Sequence, residues 1–147
     1  MTTTGLDTFD TTVQETNIWL KQVVSELESD DRREAYHALR ASFHVLRDRL
    51  PPENAVHFGQ QLPMLLRGLF YENWHIAGTP TTERHIAEFV NRVGEELPRT
   101  SGLEPEQALR AGFAVMWDRM DEGEIHKTIR TLPAGLRDLW PRDARED

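Results

Sequence analysis

The chain has 147 residues, with 17 Lys and Arg against 25 Asp and Glu, so its formal net charge is −8 and general binding to nucleic-acid phosphates is disfavoured. Hydrophobic residues make up 38% of it, enough for a globular core, and the absence of cysteine excludes disulfides, thiolate metal sites and thiol nucleophiles. No run of about 18 apolar residues exists, so no membrane span is expected. Because Thr2, Thr3 and Thr4 are unlike a secretory signal, we expect a cytoplasmic protein.

The first two predicted helices carry apolar residues at helical spacing. From Val13 to Leu27 these residues recur at steps of three and four, the period of one helix face. Thr12 and Glu15 have the spacing of a capping box, which places the start of this helix at Thr12. Asp31 is a suitable N-cap for a second helix, which runs to Leu50.

Prolines mark the next two helix starts. Pro51 and Pro52 end the second helix and begin a third, which runs to about Gln61, because the fixed φ of proline suits the first helical position. Pro63 begins a fourth helix through Phe70. The first half of the chain is therefore predicted to hold four helices.

The same order of elements recurs at an offset of 70 residues. Between 38–71 and 108–141, 13 of 34 positions are identical without a gap, and the pattern extends to 9–71 against 79–141. Helices of the second copy are predicted at 86–97, 105–120, 122–131 and 133–140. No stretch alternates in the manner of a strand. We predict an all-α fold of about eight helices, as two similar four-helix repeats packed into one compact bundle-like domain over residues 1–147.

The seam between the repeats is short. Gly78, Thr79 and Pro80 join them, so the halves are expected to pack together rather than to move independently. At the other end of the chain, the polar and charged segment 142–147 is expected to fray.

Two stretches carry a family resemblance. Residues 61–74, QLPMLLRGLFYENW, and residues 38–50, ALRASFHVLRDRL, resemble the bacterial proteins catalogued as domain of unknown function 2267. The similarity runs from about Phe9 to Pro141. It implies a small, soluble, helical bacterial protein without an established activity, and it supplies no catalytic residues.

The second copy departs from this pattern at the end of its last helix. Ala134 and Gly135 stand where the first copy has Met64 and Leu65, and Pro141 replaces a tyrosine. A site built on residues 71–74 would therefore exist only once in the chain.

His37, His44 and Asp48 are weak candidates for metal ligands. Their spacing places them on one helix face, where two histidines and a carboxylate could bind a metal ion. The counterparts of the two histidines are Gln107 and Ala114, so we expect a solvated helix face instead of a core role. Two Glu-x-x-His pairs, at 34–37 and 72–75, resemble di-iron motifs, but chance alone predicts about 0.6 such pairs and the helices that carry them look short for a ferritin-like bundle. No metal site and no cofactor are predicted.

No motif indicates catalysis. The sequence contains no nucleophile elbow, no phosphate-cradling glycine loop and no HExxH motif, so no catalytic residue is predicted.

Four polar positions are shared by both copies and are predicted to be structural, in ion pairs or hydrogen bonds at helix ends. They are Arg40 with Arg110, Asp48 with Asp118, Arg49 with Arg119, and Arg67 with Arg137. Arg67 and Arg137 are expected to reach a carboxylate such as Asp48 or Asp118. The functional alternative is a pair of arginine clusters that bind an anionic ligand or an acidic patch.

Phe70, Tyr71 and Trp74 form an aromatic cluster that the second copy does not fully repeat. Tyr and Trp are favoured at interfaces, so a docking surface or a homodimer seam is one interpretation, and covering the core is the other. The sequence favours a non-enzymatic protein-interaction or regulatory module, with a protein partner or a second copy and without nucleic acid or membrane. The alternative is a helical protein that binds a small ligand or metal in the cleft between the repeats.

Overall fold

The computed structural model describes residues 4–145, so Thr2, Thr3 and the last two residues of the predicted tail lie outside the described residues. Within this range the chain forms nine helices and no strand, which confirms the all-α prediction. The α-helices are α1 (Asp7–Leu27), α2 (Arg32–Arg49), α3 (Pro52–Gln60), α4 (Met64–Tyr71), α5 (Ile86–Glu96), α6 (Pro105–Arg119), α7 (Glu122–Thr131) and α8 (Arg142–Arg145), and a 3-10 helix spans Ala134–Leu139 before α8.

The start of α1 differs from the prediction. The helix begins at Asp7, upstream of Thr12, so the capping box predicted at Thr12 was wrong. The buried hydroxyl of Thr12 instead accepts a hydrogen bond at 2.9 Å from the backbone N–H of Leu65, in the first turn of α4. Thr12 therefore caps a helix that lies far from it in the sequence.

The starts of α2, α3 and α4 agree with the prediction. Asp31 is the N-cap of α2, and its carboxylate accepts a hydrogen bond at 2.9 Å from the backbone N–H of Arg33. Pro52 is the first residue of α3, and Pro63 directly precedes α4. These starts depend on residues next to the helix, which is why a local pattern finds them.

The C-terminal end differs from the prediction at two places. The helix predicted at 133–140 is a 3-10 helix, in which Gly135 lies so close to the carbonyl of Arg84 that a Cβ atom would overlap it. Glycine also disfavours an α-helix through its conformational freedom. In the tail that is predicted to fray, Arg142–Arg145 form the helical turn α8, with Ala144 buried.

The core runs through both halves of the chain. One continuous cluster of buried apolar side chains extends from Trp19 in α1 to Ala144 in α8. At its centre α2 packs against α6, α1 packs against both of them, and α5 likewise packs against both. The repeat organisation stays a prediction from the sequence, and this reciprocal packing agrees with it.

None of the helices within residues 4–145 has the length and apolar character needed to cross a membrane.

Candidate functional site

The three metal candidates do not form a ligand set. The Nε2–H of His44 donates a hydrogen bond at 2.7 Å to the carbonyl of Leu69. The carboxylate of Asp48 accepts a hydrogen bond at 2.8 Å from Nε of Arg47, and His37 is half-buried. In the described part of the chain, no three His, Asp or Glu side chains are placed to hold a metal ion.

His44 lies in the interior, so the expected solvated helix face was wrong for this residue. Its side chain is only 2% exposed. Burial lowers the pKa of His44 below its ordinary value, the hydrogen bond to Leu69 opposes that change, and the cations Arg47 and Arg40 add to it. The imidazole is therefore a neutral structural group between α2 and α4. The counterpart Ala114 was misleading because the two halves differ at this position.

Arg47 is a buried cation that was not among the site residues predicted from the sequence. It is 3% exposed, and its Nη1 donates to the carbonyls of Phe70 at 2.9 Å and Glu72 at 2.8 Å. Its guanidinium carbon also lies 6.0 Å from the centroid of the Trp74 ring. Arg47 thus fastens the end of α4 to α2. The matching position of the second repeat holds Trp117, and this aromatic residue is the one sequence feature that indicates a core-facing position for Arg47.

The aromatic cluster is held by contacts within the chain. Phe70 is 0% exposed, so only Tyr71 and Trp74 remain available for the predicted interface. The Tyr71 ring lies on Gly59, where a Cβ would overlap it, and its hydroxyl donates to the carbonyl of Val56 at 2.6 Å. Trp74 stacks on Tyr71 with ring centroids 5.7 Å apart. The role of the aromatic cluster in an interface stays a prediction.

Arg67 and Arg137 make the same contact in the two halves. Nη2 of Arg67 donates to the carbonyl of Leu62 at 3.2 Å, and Nη2 of Arg137 donates to the carbonyl of Leu132 at 3.2 Å. Each arginine thus satisfies a backbone group in the turn after the preceding helix, instead of the carboxylate that the sequence analysis named.

Arg40 and Arg110 have different partners. Nε of Arg40 lies 3.2 Å from the carboxylate of Glu72, and this ion pair links α2 to the end of α4. Arg110 pairs within α6 with Glu106 at 2.9 Å, and its Nη1 donates to the carbonyl of Asp138 at 2.7 Å.

Arg49 and Arg119 also differ between the halves. Nε of Arg49 donates to the carbonyl of Glu83 at 2.7 Å, which attaches the segment before α5 to α2. Nε of Arg119 donates to the side chain of Gln22 at 2.6 Å, and the amide of Gln22 in turn donates to Asp118. Arg67 and Arg119 line one cavity of about 540 Å³ together with the acid Glu15, and binding of an anion by the repeated arginines stays a prediction.

An apolar groove lies between α1, α2 and α4, with a volume of about 410 Å³. At its edge Leu65 is 48% exposed and Tyr36 is 38% exposed. Its lining residues are Thr16, Leu20, Tyr36, Leu39, Leu65, Leu66, Gly68, Leu69 and Glu72. The interface predicted from the sequence, within residues 70–74, lies in a neighbouring segment, and no sequence pattern indicated the groove itself.

The large apolar side chains that are well exposed in the described part of the chain all lie in the first half. Within residues 4–145, the large hydrophobic side chains with high exposure are Leu6, Phe9, Ile18, Tyr36, Val56, Met64, Leu65 and Ile76. The counterpart of Leu65 is Gly135, which the carbonyl of Arg84 covers. In the second half, the segment before α5 thus covers position 135, whereas the matching position 65 of the first half remains exposed.

A second cavity, the cleft, is formed by α1, α6 and the C-terminal helices, with a volume of about 750 Å³. Trp117 and Trp140 line it, together with acidic and basic side chains. It lies between elements of the two predicted repeats.

The sequence matches a known family over most of its length. No curated protein matches the chain. Residues 16–139 match the family described as uncharacterized conserved protein (DUF2267), in agreement with the resemblance carried by residues 38–50 and 61–74. The chain belongs to the DUF2267 family.

Proposed function

We propose that the protein is a non-enzymatic protein-interaction module of the bacterial cytoplasm, and that the groove between α1, α2 and α4 is its docking surface. The observation that most supports this proposal is the half-exposed Leu65 at the edge of an apolar groove. Exposed apolar surface next to polar residues is typical of protein contact sites.

The occupant that fits this surface is a basic amphipathic helix of another protein. A volume of about 410 Å³ suits a few apolar side chains spaced along one helix face. Within residues 4–145, Glu72 is the one charged residue that lines the groove; its carboxylate pairs with Arg40 but remains half exposed, and the protein as a whole carries a formal net charge of −8. Opposite charge steers a basic partner to such a surface.

The same charges argue against a second copy as the occupant. Each copy carries a formal net charge of −8, so two copies repel each other through their overall fields. The homodimer that the sequence analysis considered is therefore the competing outcome of the test.

The test uses a synthetic amphipathic helix of leucine and lysine, with a leucine and glutamate helix of the same pattern as its control. Binding is measured by isothermal titration calorimetry. The blocking variant is Gly68→Leu, because Gly68 lines the groove and a Cβ there meets nothing within 4 Å. The matched variant is Gly102→Leu, at an exposed loop glycine that is equally unobstructed and does not line the groove.

We expect the lysine helix to bind the wild-type protein and Gly102→Leu alike, and Gly68→Leu to weaken binding about tenfold or more. Equal binding by both glycine variants would contradict the groove as the site. A wild-type dimer in sedimentation that Gly68→Leu dissociates would show that a second copy occupies the groove, and the proposed basic partner would be wrong.

A further inference from the structure

The cleft has the size and the walls of a small-molecule site. Its volume of about 750 Å³ lies within the range of about 300 to 1,000 Å³ that is typical of ligand pockets. Trp117 is half-buried and lines the cleft, whereas Trp140, which also borders it, is 1% exposed and stacks on Phe113 with ring centroids 3.9 Å apart. The indole N–H of Trp140 is buried and has no acceptor among residues 4–145. An oxygen atom of a ligand is one group that would satisfy such a donor.

Acidic side chains outnumber basic ones around the cleft. The acids are Glu26, Glu106, Asp118 and Asp143, against Arg110 and Arg142. Arg110 already binds Glu106 and the carbonyl of Asp138. Glu26 and Asp143 are exposed, border the cleft, and have no ion pair or hydrogen bond with the described residues, so both carboxylates are available to a cation.

The corresponding place in the first half is filled by side chains of the chain itself. His44 stands where the second half has Ala114, and Arg47 stands where it has Trp117. Arg47 is a cation packed over the ring of Trp74, with its donors on two backbone carbonyls. The second half has neither of these polar side chains, and the cleft lined by Trp117 lies there instead.

We infer that the cleft binds a small organic cation of the alkylammonium class. Ammonium groups are attracted to the faces of tryptophan rings, and nearby uncompensated carboxylates strengthen that attraction. The cation would take the role in the second half that the guanidinium of Arg47 has in the first. This site is separate from the groove and does not depend on the proposed protein partner.

The test compares choline with 3,3-dimethylbutan-1-ol, a neutral molecule of nearly the same shape that carries the same hydroxyl group. Each is titrated into ¹⁵N-labelled protein while the indole N–H resonances are followed, and a Trp117→Phe variant assigns the signal of Trp117. The charge variant is Glu26→Gln with Asp143→Asn. Its matched control is Asp30→Asn, at an exposed acid outside the cleft.

We expect choline to shift the Trp117 resonance saturably and to bind at least about tenfold more tightly than the alcohol. The double charge variant should weaken choline binding several-fold, whereas Asp30→Asn should leave it unchanged. Equal affinity for choline and the alcohol would overturn the assignment to cations. No shift of the Trp117 resonance with either molecule would overturn the site itself.

Discussion

Ser42 and Gly112, which match at the offset of 70 residues, face each other where α2 packs against α6. A Cβ at position 112 would lie 2.6 Å from the Cβ of Ser42, far inside the contact distance. The Ser42 hydroxyl shares its proton between the carbonyls of Ala38 at 2.8 Å and Ala108 at 3.3 Å, and these two alanines match at the same offset. One small residue and one glycine are thus needed for the two central helices to approach so closely.

Exchanging these two residues tests that relationship. Gly112→Ser alone should lower the free energy of unfolding by about 1 to 3 kcal/mol, because two serines cannot occupy the crossing. The double change Ser42→Gly with Gly112→Ser should recover most of this loss, since the serine then sits on the other helix in an equivalent place. Urea denaturation of the three proteins measures both values. A double variant as unstable as Gly112→Ser would contradict the equivalence of the two positions.

Thr12 supports α4 from a distance. Thr12→Val removes the acceptor for the N–H of Leu65 with little change in shape, so it should destabilise the protein by about 1 kcal/mol. Hydrogen exchange at the Leu65 amide should quicken, whereas Thr11→Val, at the exposed neighbouring position, should affect neither quantity. Unchanged exchange at Leu65 would mean that the cap does not hold α4.

The buried His44 makes stability depend on pH. Because its pKa in the folded protein is lower than the ordinary value of 6.5, the unfolded chain takes up a proton first as the pH falls. The contribution of His44 is therefore complete above about pH 6.5 and is lost as the pH drops through the lowered pKa. Arg40 and Arg47 favour the neutral ring, and Glu96 of α5 opposes them.

The measurement compares urea midpoints at about pH 7.5 and about pH 5.5 for the wild type and for His44→Gln. A glutamine amide can still donate to the carbonyl of Leu69 but does not titrate in this range. The wild type should lose more stability on acidification than the variant. An identical loss in both proteins would show that His44 is not the titrating group.

Arg47 should be the most sensitive charged residue of the fold. Arg47→Met leaves the carbonyls of Phe70 and Glu72 without their donor and the carboxylate of Asp48 without its cation, which should cost about 3 kcal/mol. Thermal unfolding, with tryptophan fluorescence as a second signal for Trp74, measures the effect. Arg33→Met, at an exposed arginine of α2, is the control and should change the melting temperature little.

Much of the fold can be predicted from local signals, and the site cannot. Pro52, Pro63 and Asp31 mark helix starts through their own backbone geometry or a neighbouring N–H, so their effect is visible in the sequence. Thr12 and His44 act on residues far along the chain, and only the folded arrangement reveals their partners. Apolar spacing likewise predicts the helix that carries Phe70 but not whether neighbouring elements cover it.

The groove, and the residues that line the cleft between the repeats, could not be predicted from the sequence for a related reason. Each depends on what a neighbouring element lacks. Among residues 4–145, no segment covers Leu65 in the way that the carbonyl of Arg84 covers Gly135, so the groove stays open. The cleft stays open because Ala114 is small. A comparison of the two repeats shows where a large residue matches a small one. Only the packed structure shows which face of the helix this difference leaves open.

The most direct test of the interaction proposal is a chemical-shift map of the protein titrated with the leucine and lysine helix. We expect the backbone resonances of Tyr36, Leu65 and Gly68 to shift first and most, and those of α7 to remain in place. Large shifts confined to other surfaces, with these three residues unchanged at saturation, would contradict the groove as the docking surface.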